Sequence, residues 1–80
     1  MKTVGYTTRA MREMRKLPGK VQSRIKNALQ RYAETGEGDV KKLVNVEGYR
    51  LRAGDYRALF TETEKGIEVR AVRHRKDAYS

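Results

Sequence analysis

Cysteine and tryptophan are absent from this 80-residue sequence, and phenylalanine, proline and histidine each occur only once. Without cysteine, the chain has neither disulfides nor thiolate metal sites. With a single phenylalanine, the core has to come from aliphatic side chains and the rings of some of the five tyrosines. No apolar run is long enough to cross a bilayer, and the first residues lack the apolar block of a secretory signal. A cytoplasmic protein without membrane contact is expected.

Acidic residues are scarce, with 10 Asp and Glu against 19 Lys and Arg, a net charge of +9 and a pI near 10.2. Such an excess predicts a polyanionic target, an acidic partner, or both, because uncompensated charge repels itself in a compact chain. The alternative interpretation is a well-solvated basic surface with no particular target.

Several catalytic signatures are also missing from the sequence. It contains no HExxH, Walker-type loop or GxGxxG motif. The acids are scattered singly, without an obvious pair to hold magnesium for two-metal phosphodiester cleavage. No metal and no cofactor are therefore expected.

The first half of the chain has the periodicity of helices. After a short strand at 2–6, Thr7 or Thr8 is a suitable N-cap for an amphipathic helix through about Lys16. Pro18 begins a second helix that Gly36 ends, and its apolar residues recur at helical spacing: Val21, Ile25, Ala28, Leu29 and Tyr32. The basic side chains on the outer face of this helix either are simply solvated or contact nucleic acid or an acidic partner.

The second half alternates as strands do. Residues 37–45 are interpreted as a loop, and strands are predicted at about 48–53, 55–63 and 67–73, the last two joined by a turn at 64–66. The sequence contains no repeat and no linker, so 1–80 is one domain. The predicted fold class is α+β, in the order β-α-α-β-β-β, with a helical hairpin on a curved, mainly antiparallel sheet.

The most informative stretch is YRLRAGDYRALF, residues 49–60. In its first strand Arg50 and Arg52 alternate with apolar residues, and after a tight turn at Gly54-Asp55 the next strand presents Arg57. Three guanidiniums are thus displayed on neighbouring strands, which is the composition of a phosphate-handling site without metal. Such a site can stabilise the phosphorane that forms when an RNA 2′-oxygen displaces the 5′-oxygen.

This stretch, together with the HRKDAYS sequence at residues 74–80, resembles the RelE/ParE superfamily of toxins from bacterial toxin–antitoxin systems. It is most similar to the RelE-like branch, whose members are ribosome-dependent mRNA endonucleases. The resemblance implies the fold given above and cleavage of translated mRNA in the ribosomal A site. ParE-type relatives share the scaffold and inhibit DNA gyrase, so this activity stays open as an alternative. A regulatory or RNA-binding module descended from such toxins is a third possibility.

The resemblance also implies roles for individual residues. Arg57 matches the arginine that clamps the transition state, Arg75 is similar to a second family arginine, and Tyr79 resembles a tyrosine in proton transfer and base stacking. Histidine side chains in general can exchange a proton near neutral pH, so His74 is a credible acid or base, or else it only packs the strand end. The cations expected to bind RNA or phosphate are Arg50, Arg52, Arg73, Lys76, Lys41 and Lys42.

The implied partners follow from the same family. A cognate antitoxin with an acidic toxin-binding segment is expected to fold onto the toxin and hold it inactive. The ribosome, through its rRNA, and mRNA are the expected targets. Operator DNA is expected to be bound by the toxin–antitoxin complex through the antitoxin.

Overall fold

The computed structural model describes residues 3–74 and residue 76. Two helices and five strands make up this part of the chain. They follow in the order β1 (Thr3–Tyr6), α1 (Thr8–Arg15), α2 (Gly19–Thr35), β2 (Val40–Lys42), β3 (Tyr49–Ala53), β4 (Tyr56–Thr63) and β5 (Gly66–His74). Neither helix in the described part of the chain is long and apolar enough to span a membrane.

The helices begin and end at the residues that their capping chemistry indicates. Thr7 is the N-cap of α1, and its side-chain oxygen accepts a hydrogen bond from the Ala10 N–H at 3.1 Å. Pro18 precedes the first residue of α2, and Gly36 ends that helix in the left-handed conformation, with φ of 78°. The predicted bounds of both helices are therefore confirmed to within a residue or two.

The five strands form one sheet in the order β1-β5-β4-β3-β2. Strand β1 runs parallel to β5, and the other three pairings are antiparallel. The predicted α+β class is confirmed. The prediction of an unbroken loop over 37–45 was wrong, because Val40–Lys42 pairs with Tyr49–Leu51 as a fifth, edge strand.

The hydrophobic core lies between the helices and one face of the sheet. The largest fully buried side chains are Phe60, Ile25, Leu29, Leu51 and Val69. Phe60 stacks on Tyr49 with ring centroids 5.6 Å apart, and Tyr32 of α2 lies 5.5 Å from it on the helix side. Because strand side chains alternate, burying Leu51, Ala58 and Phe60 turns the intervening arginines of β3 and β4 to the opposite face.

Candidate phosphate-binding cleft

Three arginines lie side by side across the face of the sheet that is turned away from the helices. Arg52 of β3 is the register partner of Arg57 of β4, which in turn is the partner of Arg73 of β5. Directly opposed residues project from the same face, so the three guanidiniums share one surface. We call these residues the arginine row. Like charges in directly opposed positions destabilise a sheet, so the row does not help the sheet to form.

A narrow cleft runs beside the arginine row toward strand β2. Its lining residues are Asp39, Lys41, Arg50, Arg52 and Arg57, and its volume is about 40 Å³. Lys41 is the register partner of Arg50, which adds a second pair of cations next to the row. We call this concavity the cationic cleft. It concentrates four positive side chains and a single carboxylate around a space that admits one small group.

Arg57 occupies the centre of this arrangement and is the most buried of its cations. It is only 7% exposed, whereas Arg52 and Lys41 are exposed and Arg50 is half-buried. Charged side chains are seldom buried to this degree, and a buried guanidinium has little freedom to reorient. The structure therefore presents Arg57 as a fixed donor and its neighbours as adaptable ones, as a site for a polyanion requires.

Arg73, at the other end of the row, is positioned by helix α1. Its Nη1 lies 3.9 Å from Oε2 of Glu13, and Oε1 of Glu13 accepts a hydrogen bond from the Val72 N–H at 3.0 Å. Glu13 thus binds the open edge of β5 and neighbours the arginine at the same time. Glu13 was not among the predicted site residues, because nothing local in the sequence links it to β5.

His74 lies on the other face of the sheet. It follows Arg73 in the same strand and is the register partner of Tyr56, whose ring it meets edge-on with centroids 5.1 Å apart. Its Nδ1 accepts a hydrogen bond from the Lys76 N–H at 3.3 Å. In this position His74 packs the strand end and is not directed into the cationic cleft.

The remaining predicted residues do not all lie at the cationic cleft. Lys41 lines the cationic cleft, whereas Lys42, the next residue, is the partner of Tyr49 and emerges on the helix side of the edge. Lys76 is exposed. Arg75 and Tyr79 lie outside the described residues, so their predicted roles stay predictions. Asp39 was not predicted to belong to the site, although it directly precedes strand β2 and its two lysines.

Comparison with known proteins identifies the family. The sequence model described as ParE toxin of type II toxin-antitoxin system, parDE, matches residues 4–79. The chain belongs to this family of the RelE/ParE superfamily. Among curated proteins, no sequence matches the toxin significantly.

Solved structures show the same fold. The toxin superposes with a TM-score of 0.81 on the RelBE2 toxin–antitoxin complex from Mycobacterium tuberculosis, at 23% identity over 91% of this chain and 96% of that one. The RelB-RelE antitoxin–toxin complex from Methanococcus jannaschii gives a TM-score of 0.76 at 24% identity, with 95% of each chain covered. The YoeB dimer from Staphylococcus aureus gives 0.75 at 18% identity, with 91% and 95% covered. At these identities the likeness shows the fold alone.

Proposed function

We propose that this toxin is a ribosome-dependent endonuclease that cleaves translated mRNA in the ribosomal A site and so inhibits translation. The observation that carries the proposal is the arginine row, with Arg57 buried at its centre and the cationic cleft beside it. An aligned set of fixed positive donors is what the charge of a phosphorane requires. The similarity in fold to RelE and YoeB structures supports the same branch of the superfamily.

The proposed reaction needs no metal and no water as nucleophile. The 2′-oxygen beside the scissile bond loses its proton and attacks phosphorus, and the bond from phosphorus to the 5′-oxygen breaks. The products are a 2′,3′-cyclic phosphate and a 5′-hydroxyl, whose oxygen takes up a proton. Arg57, with Arg52 and Arg73 on either side, stabilises the extra negative charge while it develops. The proton transfers are assigned by resemblance to Tyr79, which lies outside the described residues.

The ribosome supplies what a small open cleft lacks. Four of the cleft's five lining residues are exposed or half-buried, so a free RNA strand has many ways to lie across them. Holding the message in one orientation lowers the activation barrier by several kcal/mol, as the effective molarities of well-oriented reactants indicate. The net charge of +9 favours docking on rRNA. A toxin with this target would act in the cytoplasm, which is part of the proposal.

A cognate antitoxin is part of the proposal. The similar RelE, RelBE2 and YoeB structures include toxin–antitoxin complexes, and an acidic antitoxin segment would neutralise the cationic cleft of this chain. Binding of operator DNA would come through the antitoxin.

The second candidate function is inhibition of DNA gyrase without catalysis. It is favoured by the description of the matching family, which is that of a ParE toxin. Such a function needs a binding surface but no transition-state clamp, and it leaves the alignment of the arginine row unexplained.

Controlled expression of the toxin in a bacterial host separates the two functions. Cleavage predicts an arrest of translation and new RNA 5′ ends inside translated codons, which disappear when the start codon of a reporter message is removed. Intact messages, filamentous cells and loss of supercoiling activity in purified gyrase would overturn the nuclease proposal and favour the alternative.

A further inference from the structure

A second concavity adjoins the cationic cleft on the helix side of the sheet. This side cavity, of about 240 Å³, lies between α2 and the chain that leads into β2 and β3. Its lining includes Asn27, Ala28, Arg31, Glu37, Asp39 and Leu51. Neither the arginine row nor the cationic cleft accounts for this side cavity.

The side cavity and the cationic cleft share one wall. Asp39 and Arg52 line both, and the Arg52 N–H donates a hydrogen bond to the Asp39 carbonyl at 2.9 Å. Strand β2 starts at Val40, opposite Leu51, and the Asp39 carbonyl extends this pairing by one residue to Arg52. Among the described residues the pairing of the two strands ends there, and a ligand that lies over its end reaches both concavities.

The lining of the side cavity suits a flat heterocycle. Its floor is apolar, since Leu51 is 1% exposed and Ala28 is half-buried. Its rim offers the amide of Asn27, the carboxylate of Asp39 and the guanidinium of Arg31, which Glu37 holds at 2.7 Å. A nucleobase is recognised by hydrogen bonds to the donors and acceptors on its edge and by apolar contact with its flat face, and this lining offers both.

The same lining disfavours the other polyanions that a basic protein binds. A second phosphate group would meet the carboxylates of Asp39 and Glu37, and so would the acidic side chains of a peptide. The cavity is also smaller than the roughly 300–1,000 Å³ of pockets that take whole drug-sized ligands. One ring system is the occupant that its size and polarity fit best.

A shallow groove continues from the side cavity along α2. It is lined by Lys20, Ser23, Arg24 and Asn27, and Asn27 belongs to the side cavity as well. Arg24 reaches over the β3–β4 turn, where a Cβ on Gly54 would lie 3.1 Å from its Nη1. The three concavities thus form one path with cations at both ends, along which the backbone of a single strand can run.

We infer that the side cavity is a base-binding subsite for single-stranded RNA, which holds one nucleobase while the adjacent phosphate lies in the cationic cleft. This inference rests on the proposed function in taking RNA as the ligand. It adds a reason for sequence preference, because the Asn27 amide and the Asp39 carboxylate distinguish bases by the donors and acceptors on their edges.

The test measures binding without cleavage. Fully 2′-O-methylated RNA trinucleotides cannot supply the attacking oxygen, and three versions each lack one base. For the unchanged toxin, loss of the base at one of the positions should weaken binding about tenfold, the equivalent of one or two hydrogen bonds with an apolar contact. Ala28→Leu fills the cavity from the helix, and in this variant the same abasic trinucleotide should bind as tightly as the complete one.

Two further variants separate loss of the base-binding subsite from loss of charge or of folding. Lys26→Ala removes an exposed cation of α2 that lines none of the three concavities, and it should leave the effect of the missing base unchanged. If Ala28→Leu unfolds in urea too readily to be measured, Asn27→Ala, at an exposed position, should reduce the effect instead.

Three results would overturn the inference. The first is equal binding of all abasic trinucleotides, and the second is an unchanged effect of the missing base in Ala28→Leu and Asn27→Ala. The third is displacement of the trinucleotide by an acidic peptide whose own binding is weakened by Ala28→Leu. Base-dependent binding without cleavage on ribosomes would contradict the proposed function and leave the subsite intact. Cleavage without base-dependent binding would do the reverse.

Discussion

The carboxylate of Glu13 accepts a hydrogen bond from the backbone N–H of Val72, with 3.0 Å between Oε1 and the nitrogen. Strand β1 pairs with β5 as far as Val69, so among the described residues Val72 has no neighbouring strand on this edge. The side chain of α1 takes the place of a strand there. This contact fixes the helix against β5 directly before Arg73, the last arginine of the row.

Glu13→Ala is expected to lower the free energy of unfolding by about 1–3 kcal/mol, because it leaves a part-buried backbone N–H without its acceptor. Glu13→Gln keeps a carbonyl oxygen at this position and should lose less. Urea unfolding followed by circular dichroism measures both. Glu64→Ala, in the exposed β4–β5 turn, is the matched control and should change stability by less than about 0.5 kcal/mol. Equal stability of Glu13→Ala and the control would contradict the role of Glu13 at the strand edge.

Arg57→Lys is expected to reduce cleavage of ribosome-bound mRNA by about 100-fold or more, as loss of a preorganised donor to a transition state does. Lysine keeps the charge but lacks the planar fork that holds two phosphate oxygens. Single-turnover cleavage with the variant in excess measures the chemical step. Arg70→Lys on β5 is the control, since Arg70 is exposed and pairs with Glu68 at 3.3 Å outside the cationic cleft. Full activity of Arg57→Lys would remove Arg57 from the chemistry.

Arg50→Ala is expected to weaken binding of single-stranded RNA and to reduce its salt dependence. Each lost phosphate contact lowers the slope of log affinity against log salt by about 0.7 for a single strand. Fluorescence anisotropy with a 2′-O-methyl RNA over a range of salt concentrations gives the slope. Lys26→Ala changes the net charge equally but lies outside the cationic cleft, and its slope should match that of the unchanged toxin. Identical slopes for the two variants would show that the cleft makes no phosphate contact.

Gly66→Ala is expected to destabilise the fold by more than about 1 kcal/mol, because the native conformation is incompatible with a side chain. Gly66 has φ of 156°, and a Cβ there would overlap the backbone of Thr3 in β1. Gly19→Ala is the opposite case: a Cβ at this first position of α2 meets nothing within 4 Å, and it should stabilise by about 0.5 kcal/mol. Thermal and urea unfolding compare the two. A tolerated Gly66→Ala would mean that β1 docks differently on β5.

Tyr32 is expected to make stability fall at alkaline pH. Burial and the hydrogen bond that its hydroxyl donates to Glu62, at 3.0 Å, raise the pKa of Tyr32 above 10.0. Below pH 10 the phenol is protonated in both states and the contribution is complete. Above that pH the unfolded chain loses its proton first, so the free energy of unfolding declines as pH rises toward the native pKa.

Tyr32→Phe should remove part of this decline, which urea unfolding at about pH 8 and about pH 11 can measure. A smaller decline remains, because burial also raises the pKa of Tyr6. The same pH dependence in Tyr32→Phe and in the unchanged toxin would exclude a contribution from Tyr32.

The elements that the sequence predicted are those whose signals are local. Helix α2 shows an apolar period over several turns between Pro18 and Gly36, and the β3–β4 hairpin combines alternation with a Gly54-Asp55 turn. Strand β2 has three residues, two of them lysine, and one apolar position. It is a strand because β3 offers it hydrogen bonds, and that information lies in the pairing and not in the segment.

The part of the candidate site that follows from local alternation along the strands was also predictable. Alternation placed Arg57 on the face opposite the core, but its burial to 7% exposure depends on how the neighbouring strands surround it. The same alternation, applied to Arg73 and His74, predicts that the histidine faces away from the arginine row. Asp39 and Glu13 reach the site through the β2–β3 edge and the α1–β5 contact, which have no signature in the sequence.

The parallel pairing of β1 with β5 has a consequence for synthesis. Thr3 of β1 is the register partner of Gly66 of β5, so β1 has no partner strand until β5 has been synthesised. Contacts between such distant positions form late and slowly. A growing polypeptide that still lacks β5 has neither Arg73 nor a completed sheet to hold Arg57. The arginine row is therefore assembled only after β5 has been synthesised and has paired with β4.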